Sequence, residues 1–358
     1  MIVNQWVPAA HRGDAIGDSA RRMRGMLRQL GHQSEIYALT VDDDLKGDVL
    51  PFTDGGASRG NLTIFHYALP SPMTEAFAAL RGGRVLQYHN VTPAHFFAPY
   101  DAVLFRLASL ARAELKTLVG RVDLALGVSN YNREELEQLG FAPTGVLPLA
   151  VDTSRVTRTG RRPAIDKMLD DEFVNFLFVG RIVPNKKIED HIRLAEVYKR
   201  YVDVNYRFIF VGKTDGVPRY YDMVRALIAE FQMPADRFWF TGPVPNEDLA
   251  TYYRTASVYL SLSEHEGFCV PLLEALHHGV PIVAFESSAI PETLGGAGLC
   301  IRDKSPIGVA EAVRRVVTDD ALRSQMIAAG RRQLQHFSLE RTSKQFLAAV
   351  ESFVGERV

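Results

Sequence analysis

The chain has 358 residues, of which 47% are hydrophobic and 23% are charged, and its formal net charge is −1. This composition is typical of a globular protein, and the near-zero charge supplies no field that would attract nucleic acid. At roughly 100–200 residues per domain, the length favours two domains. The two cysteines, Cys269 and Cys300, show no metal-ligand spacing, so we expect no metal and a reducing, cytoplasmic setting.

The sequence shows neither kind of hydrophobic segment that targets a chain to a membrane. The stretch Met1–Asp14 lacks the long apolar region of a signal peptide. No apolar run reaches the roughly 18 residues that predict a membrane-spanning helix. We therefore expect membrane contact, where it occurs, to be peripheral and at the inner face.

The first half of the chain alternates short β-rich runs with helical patterns. The predicted strands are Met1–Val7, Ser34–Leu39, Leu62–Tyr67, Arg84–Tyr88 and Leu124–Val128. The predicted helices are Ser19–Leu30, Met73–Leu80, Ala102–Val119 and Asn132–Leu139. Strands that alternate with helices predict βα units on a parallel sheet.

The second half repeats this alternation. The predicted strands are Val174–Val179, Tyr206–Val211, Arg237–Phe240, Ser257–Leu262 and Pro281–Phe285. The predicted helices are Ile188–Tyr201, Arg219–Phe231, Glu247–Thr255 and Pro271–His278. The stretch Asp152–Asp166 is rich in Arg, Thr and Pro and predicts a domain boundary. We divide the chain into an N-terminal domain, residues 1–155, and a C-terminal domain, residues 156–337.

Loops that follow strands are the candidate sites, because open parallel sheets bind ligands at the carboxyl ends of their strands. With two such domains, the predicted site is the cleft between them. In the loop Glu264–Glu274, EHEGFCVPLLE, Gly267 permits close backbone approach. Pro271 suits the first position of a helix and Gly279 suits its end. The N-terminus of this helix favours an anion such as a diphosphate.

Two carboxylates flank that anion site. Glu266 lies on the loop, and we place Glu274 in the first helical turn. Carboxylates repel phosphate but accept hydrogen bonds from sugar and ribose hydroxyls, so the set suits a nucleoside diphosphate sugar. For Glu274, the alternative that it only complements the helix dipole stays open.

A basic loop follows the strand Val174–Val179. Arg181 and Lys186 lie in the segment VGRIVPNKK, where a planar guanidinium and a compact ammonium can pair with phosphates. Such groups would stabilise negative charge on a leaving diphosphate. The alternative is a solvated basic loop.

These motifs resemble those of the retaining GT-B glycosyltransferases of family 4, the glycosyl transferases group 1. Glu266 and Glu274 match the family's E-x7-E pair within EGF-x-x-P-x-x-EA, and Val179–Lys187 matches its GR-x4-K segment. Ala289–Leu299, AIPETLGGAGL, matches the P-E-x5-G-L run that follows. The likeness extends to His89–Asn90 and to the C-terminal FSLERT, so it covers essentially the whole chain.

The resemblance implies a role for each matching residue. Arg181 and Lys186 would bind the donor diphosphate, Glu266 with the Gly267–Phe268 backbone would hold the transferred sugar, and Glu274 would bind the ribose. His89, on the other domain, would approach the sugar near the reaction centre. The catalytic set is Arg181, Lys186, Glu266 and His89. The donor-binding set is Gly267, Phe268, Cys269, Val270, Glu274, Gly212, Lys213, Pro243 and Val244, with Gly212–Thr214 and Gly242–Pro245 as the loops expected to contact the base.

Cys269 departs from the pattern, because the family often has Gly at this position. The departure narrows the expected backbone approach to the sugar. The resemblance also implies retention of anomeric configuration without a dedicated protein nucleophile, the donor diphosphate helping to deprotonate the acceptor. It implies no cofactor beyond the donor substrate.

The loop His11–Asp18 is the predicted acceptor side. Gly13 and Gly17 permit close approach to a ligand, and Asp14 is placed to contact acceptor hydroxyls. For Asp18, we favour a helix cap over an acceptor contact.

The helix predicted at Ala102–Val119 has an apolar face with two interpretations. That face comprises Val103, Leu104, Leu107, Leu110, Ala111 and Leu118, with Arg106, Arg112 and Lys116 elsewhere. An amphipathic core helix explains the pattern, and a helix that sits on a membrane explains it as well.

Two other motifs carry no predicted chemistry. Gly212-Lys213-Thr214 mimics the end of a P-loop, but Arg207 stands where the upstream Gly would be required. We interpret Asp42-Asp43-Asp44 as a solvated loop rather than a metal site.

The sequence thus predicts an α/β protein of the GT-B class: two Rossmann-like domains facing across a cleft, with Ser338–Val358 crossing back as a helix to the N-terminal domain. We expect a hexosyltransferase that uses a UDP- or GDP-linked sugar and a saccharide or lipid-linked acceptor in polysaccharide or glycoconjugate biosynthesis. The alternatives are a sugar-nucleotide epimerase and a non-catalytic sugar-nucleotide-binding protein.

Overall fold

The computed structural model describes residues 1–11, 13–153 and 162–355, with side chains described as far as residue 350. The chain forms two compact units. Unit 1 comprises Met1–His95, Val103–Val151 and Phe337–Val358, and unit 2 comprises Phe96–Ala102 and Asp152–His336. Most of the predicted boundary stretch, including the division between residues 155 and 156, lies outside the described residues.

Unit 1 contains a parallel sheet of seven strands in the order β3-β2-β1-β4-β5-β6-β7. Its strands are β1 (Val3–Ala10), β2 (Ile36–Val41), β3 (Leu50–Pro51), β4 (Leu62–Tyr67), β5 (Gly83–Tyr88), β6 (Leu124–Gly127) and β7 (Thr144–Val146). Its helices are α1 (Ala15–Gln29), α2 (Met73–Ala78), α3 (Ala102–Lys116), α4 (Asn130–Leu139) and, from the end of the chain, α13 (Leu339–Gly355).

Unit 2 contains a parallel sheet of six strands in the order β10-β9-β8-β11-β12-β13. Its strands are β8 (Val174–Val179), β9 (Tyr206–Val211), β10 (Phe238–Gly242), β11 (Val258–Ser261), β12 (Ile282–Phe285) and β13 (Leu299–Ile301). Its helices are α5 (Pro163–Met168), α6 (Ile188–Tyr201), α7 (Pro218–Glu230), α8 (Asn246–Thr255), α9 (Val270–His277), α10 (Ile290–Leu294), α11 (Pro306–Thr318) and α12 (Asp320–His336).

Both sheets confirm the predicted Rossmann-like units of the GT-B class. In each sheet the strand order reverses once, between β1 and β4 in unit 1 and between β8 and β11 in unit 2. This reversal creates a crevice at the carboxyl ends of the strands, where α/β folds bind ligands. The fold thus points to the loops after β8 and β11 as the site of unit 2.

Several predicted element bounds were wrong at their ends. Helix α1 begins at Ala15 instead of Ser19, because Asp14 caps it by accepting a 3.0 Å hydrogen bond from the Gly17 amide. Strand β1 runs to Ala10 instead of Val7, since it pairs with β2 along that length. The short strands β3, β7 and β13 were missed because two or three residues are too few to show a period.

The core of unit 1 covers both faces of its sheet. Trp6 and Phe77 belong to an aromatic cluster on one side. On the other side, Phe346 and Val350 of α13 pack against a group that includes Val3. The predicted return of the chain as a C-terminal helix is therefore confirmed, although residues 356–358 lie outside the described part.

Three glycines mark the carboxyl ends of neighbouring strands in unit 2. Gly180, Gly212 and Gly242 all have positive φ, at 155°, 145° and 70°. The Gly212 amide donates to the Gly242 carbonyl at 3.0 Å, and a Cβ on Gly212 would lie only 2.2 Å from the Gly180 carbonyl oxygen. The strand ends approach so closely that only glycine fits at position 212.

We expect Gly212→Ala to lower the free energy of unfolding by about 3 kcal/mol, because the Cβ would clash with backbone and strain φ. Gly216→Ala, in the same loop, is the control: its Cβ meets only a Val183 methyl at 3.6 Å, so the change should stay within about 0.5 kcal/mol. Urea unfolding of both variants measures the difference. Equal effects would contradict the steric account.

Candidate functional site

The two predicted donor loops of unit 2 are joined by backbone and side-chain hydrogen bonds. The Glu264 amide donates to the Asn185 carbonyl at 2.9 Å, and Asn185 Nδ2 donates to the His265 carbonyl at 2.9 Å. Asn185 is buried. No role was predicted for Asn185, although it lies within the motif that carries Arg181 and Lys186. Its amide fixes the basic loop against the acidic one.

An ion pair joins the same loops at their charged residues. Lys186 Nζ lies 2.5 Å from Glu266 Oε1, and the two side chains are 17% and 8% exposed. Arg181 directly follows Gly180 and is exposed. The structure thus brings Lys186 and Glu266 together, with Arg181 at the solvent side of the same loop.

A third segment supports the acidic loop. Ser288 Oγ accepts a 2.9 Å hydrogen bond from the Glu266 amide, and Thr293 Oγ1 donates to the Phe268 carbonyl at 2.6 Å. Ser287 Oγ donates to the Ser263 carbonyl at 2.6 Å. Residues 287–293 overlap the Ala289–Leu299 run that carried part of the resemblance. That run therefore shapes the loop around Glu266.

Cys269 adopts the left-handed backbone conformation, with φ 68° and ψ 66°, immediately before α9. Glycine adopts this conformation without a steric penalty, whereas a residue with a Cβ is strained there. Burial raises the pKa of the Cys269 thiol well above its usual value, and the negative charge of the nearby Glu266 raises it further. Cys269 is therefore an uncharged residue with a strained backbone conformation at the start of α9.

The start of α9 corrects two predictions. The helix begins at Val270, so Pro271 is its second residue and not its first. Glu274 is accordingly the fifth residue, beyond the first turn in which it was predicted to lie. Because the dipole effect fades within the first turn, dipole complementation does not account for Glu274.

Glu274 is instead a buried carboxylate with a dedicated partner. Its side chain is 2% exposed, and Tyr253 donates its hydroxyl hydrogen to Glu274 Oε2 at 2.9 Å. Burial, followed by the charge of Glu274, raises the pKa of Tyr253 well above its usual value, so the phenol stays a donor. Tyr253 also stacks on His278 with 5.2 Å between ring centroids. No sequence pattern pointed to Tyr253, which lies 21 residues away on α8.

The loops expected to contact the base lie beside the Arg181 loop. The Ile182 amide donates to the Lys213 carbonyl at 2.9 Å, and Gly212 pairs with Gly242. Lys213 and Pro243 are exposed, and Val244 is half-buried. These loops follow β9 and β10, so they line the same edge of the sheet as the charged pair.

His89 follows β5 in unit 1 and contacts a second histidine. His89 Nε2 lies 2.9 Å from His66 Nδ1, and the rings are nearly parallel, with an interplanar angle of 19°. Burial lowers the pKa of His66 to about 3 and holds that of His89 well below its usual value. The predicted cleft between the domains, and the approach of His89 to the donor sugar there, stay predictions.

The predicted acceptor loop has a different cap from the one we favoured. Asp14 caps α1, whereas Asp18 lies in the first turn and forms an ion pair with Arg21. The favoured cap at Asp18 was wrong because the helix starts four residues earlier. Burial raises the pKa of Asp14, and Gly13 takes a φ of 77° just before it.

The apolar face predicted for α3 is mostly in contact with solvent. Val103, Leu107 and Leu110 are 64%, 40% and 53% exposed, and Phe105 is 39% exposed. The buried residues of the helix are Ala108, Ala111 and Leu115. Packing against the core therefore accounts for these three residues. It does not account for the exposed apolar residues of the helix.

Metal and membrane predictions can be compared with the described residues. Asp42 pairs with His11 and Asp43 with Lys46, as expected for a solvated loop. Across residues 1–11, 13–153 and 162–355, no cluster of three or more His, Cys, Asp or Glu could hold a metal ion. In the same part of the chain, none of the helices combines the length and the apolarity needed to cross a bilayer.

Comparison with known proteins identifies the unit that contains this site. Residues 165–333 match the family described as Glycosyl transferases group 1. The chain carries a group 1 glycosyltransferase domain. The matched range includes both predicted donor loops and the supporting segment, so the group 1 motifs named from the sequence coincide with the residues that the structure joins.

Relatives extend the likeness beyond that range. The chain is 26% identical to an O-antigen chain mannosyltransferase B of Escherichia coli, over 81% of this chain and 80% of the relative. It is 28% identical to a GDP-mannose-dependent phosphatidylinositol monomannoside mannosyltransferase of Mycobacterium tuberculosis, over 83% and 85%. The solved structure of HepE from Anabaena, in complex with UDP and glucose, has a TM-score of 0.76 and 16% identity, covering 98% of this chain and all of that one. That last likeness shows the shared fold.

The left-handed backbone conformation of Cys269 should determine which substitutions at this position are tolerated. Cys269→Gly should be more stable than Cys269→Ala by about 1 kcal/mol, because only Ala keeps the strained Cβ. At Cys300, on β13, the order should reverse by about 0.5–1 kcal/mol, since Gly weakens a strand. Guanidinium unfolding of the four variants is the measurement. The same order at both cysteines would contradict the strain at Cys269.

Proposed function

We propose that this protein is a retaining hexosyltransferase that moves a sugar from a nucleoside diphosphate sugar to a glycan, glycolipid or small-molecule acceptor. The ion pair between Lys186 and Glu266 carries the proposal. A donor needs a cation for its diphosphate and a hydrogen-bond acceptor for its sugar hydroxyls. This pair supplies both at one sheet edge, beside the N-terminus of α9, whose amides favour an anion.

The chemistry of the proposal follows from the charges of the pair. As the bond between the sugar and the diphosphate breaks, negative charge grows on the leaving group, and Arg181 and Lys186 stabilise it. Glu266 then accepts hydrogen bonds from hydroxyls of the transferred sugar, and Glu274 accepts those of the ribose. The acceptor oxygen forms its bond to the anomeric carbon on the face that the diphosphate leaves, and its proton passes to the departing phosphate, so the anomeric configuration is retained. The proposal involves no cofactor or metal, since the two basic residues supply the positive charge.

GDP-mannose is the first donor to test, because the relatives named above are mannosyltransferases and one is GDP-mannose-dependent. The O-antigen relative also supports a role in polysaccharide or glycoconjugate biosynthesis. UDP-linked hexoses are the alternative donors. A panel of GDP- and UDP-sugars, with the anomeric configuration of the product assigned by NMR, separates these cases. Inversion of configuration would refute the retaining mechanism, and an epimerised donor formed without acceptor would refute transfer.

Removing either member of the pair should impair turnover without unfolding the protein. We expect Lys186→Ala and Glu266→Ala each to lower kcat at least about tenfold, since a preorganised charge is worth on the order of several kcal/mol. Glu266→Gln, which keeps an acceptor for Lys186, should lose less.

The matched control for this experiment is the exposed pair of Lys344 and Glu340 on α13, joined at 2.7 Å. Alanine at either position should leave kcat unchanged, because exposed pairs contribute little. Near-wild-type kcat in both Lys186→Ala and Glu266→Ala, measured as initial rates with the best donor, would rule out the assigned roles.

We also propose that α3 makes peripheral contact with a membrane. Val103, Phe105, Leu107 and Leu110 are exposed along it, and Arg106 is exposed among them. Apolar side chains next to a basic residue suit an anionic bilayer surface.

Vesicle binding tests this contact. We expect the protein to co-sediment with vesicles of phosphatidylcholine and phosphatidylglycerol, and the double variant Val103→Ser, Leu110→Ser to bind at least about fivefold less. Ile307→Ser is the control, because Ile307 is 70% exposed but lies on α11. Equal loss in the control, or no binding by the wild type, would overturn the proposal.

A further inference from the structure

A row of buried polar side chains crosses three neighbouring strands of unit 1. Gln5 lies on β1, His66 on β4, and His89 directly follows β5. The sheet order β1-β4-β5 makes these strands adjacent, and Gln5 and His66 are fully buried. Buried polar groups need hydrogen-bond partners, so the direction of each bond in this row can be worked out.

The first bond fixes the orientation of Gln5. Its Nε2 donates to the Ala20 carbonyl at 2.9 Å, and a carbonyl can only accept. The amide oxygen of Gln5 therefore faces His66 Nε2, at 3.0 Å. Because that oxygen is an acceptor, His66 Nε2 must carry a proton.

The second hydrogen bond, between His66 and His89, determines which ring nitrogen of His89 carries the proton. With its pKa lowered to about 3 by burial, His66 is neutral near pH 7, and a neutral imidazole carries one proton. His66 Nδ1 is therefore an acceptor, and His89 Nε2, 2.9 Å away, donates to it. His89 is neutral for the same reason, so its Nδ1 holds a lone pair.

The Nδ1 atom of His89 is buried and has no hydrogen-bond partner among the described residues. The ring is held from the opposite side by His66, and the His89 amide donates to the Tyr67 carbonyl at 2.9 Å. An acceptor buried without a partner is unfavourable. A ligand hydroxyl would satisfy it, whereas a ligand carbonyl or phosphate oxygen would not.

We propose that Gln5 and His66 are positioning residues that set the tautomer of His89, so that its Nδ1 accepts a hydrogen bond from a hydroxyl of the bound sugar. The inference rests on the proposed function, under which a sugar is the transferred group. It also gives His89 a defined role: His89 selects a hydroxyl and does not donate a proton at neutral pH. A sugar that lacks a hydroxyl at the contacted carbon would be a poor donor.

The tautomer can be measured directly in the free wild-type protein. With ¹⁵N-labelled histidine, the His89 ring nitrogen shifts at pH 7 should show a proton on Nε2 and none on Nδ1, because the two forms of nitrogen resonate far apart. In Gln5→Leu, the fixed acceptor is lost and the shifts should move toward a mixture of tautomers. A proton on Nδ1 of His89 in the wild type would overturn the inference, whatever the activity.

Kinetics separate positioning from a purely structural role. We expect His66→Phe, which keeps the ring volume but no nitrogen, to lower kcat roughly tenfold, as for the loss of one hydrogen bond in the transition state. In a His89→Ala background, the same change should cause no further loss, because His66 acts through His89. A loss of equal size in both backgrounds would overturn the positioning role.

Thr63→Val is the matched control, since Thr63 is a buried polar residue on the same strand β4, and it should leave kcat unchanged. Thermal unfolding of each variant shows whether the fold survives. The proposed function fails separately. If the wild type has the expected tautomer but His89→Ala keeps full kcat, the directions of the hydrogen bonds from Gln5 to His89 stand, and the contact between His89 and the sugar is refuted.

Discussion

The ion pair between Lys186 and Glu266 depends on a single constraint, the adjacency of β8 and β11 in a parallel sheet. These strands are far apart in the sequence but neighbours in space, and parallel strands end at the same edge. The loops that follow them therefore meet, and a cation from one and a carboxylate from the other lie 2.5 Å apart. The hydrogen bonds of Asn185 and Ser288 hold the loop around Glu266 in this position.

The same constraint organises the polar row in unit 1. There β1, β4 and β5 are neighbours, and their side chains form a sequence of donors and acceptors from Gln5 to His89. The two sites differ in charge. In unit 1 it keeps both histidines uncharged, whereas in unit 2 the opposite charges of Lys186 and Glu266 compensate each other. Unit 1 thus presents uncharged hydrogen-bonding groups, and unit 2 presents a pair of opposite charges.

The elements that sequence patterns predicted best are the buried strands. Leu62–Tyr67, Val174–Val179 and Tyr206–Val211 have the predicted bounds, because a run of β-branched and aromatic residues between polar turns has few other structures available. Helix starts were predicted less well. The beginning of α1 depends on which of two aspartates caps it, and the position of Glu274 in α9 changed when the helix began one residue earlier.

The sequence by itself determined the fold class, the group 1 motifs and the residue types of the two predicted donor loops, because these depend on local periodicity and on short spacings along the chain. Only the tertiary structure decided their partners. Lys186 pairs with Glu266 across 80 residues, Tyr253 holds Glu274 from another helix, and His66 faces His89 from the next strand. The physical reason is that strand order, set by the packing of the whole sheet, places distant residues side by side, and no local pattern encodes that order.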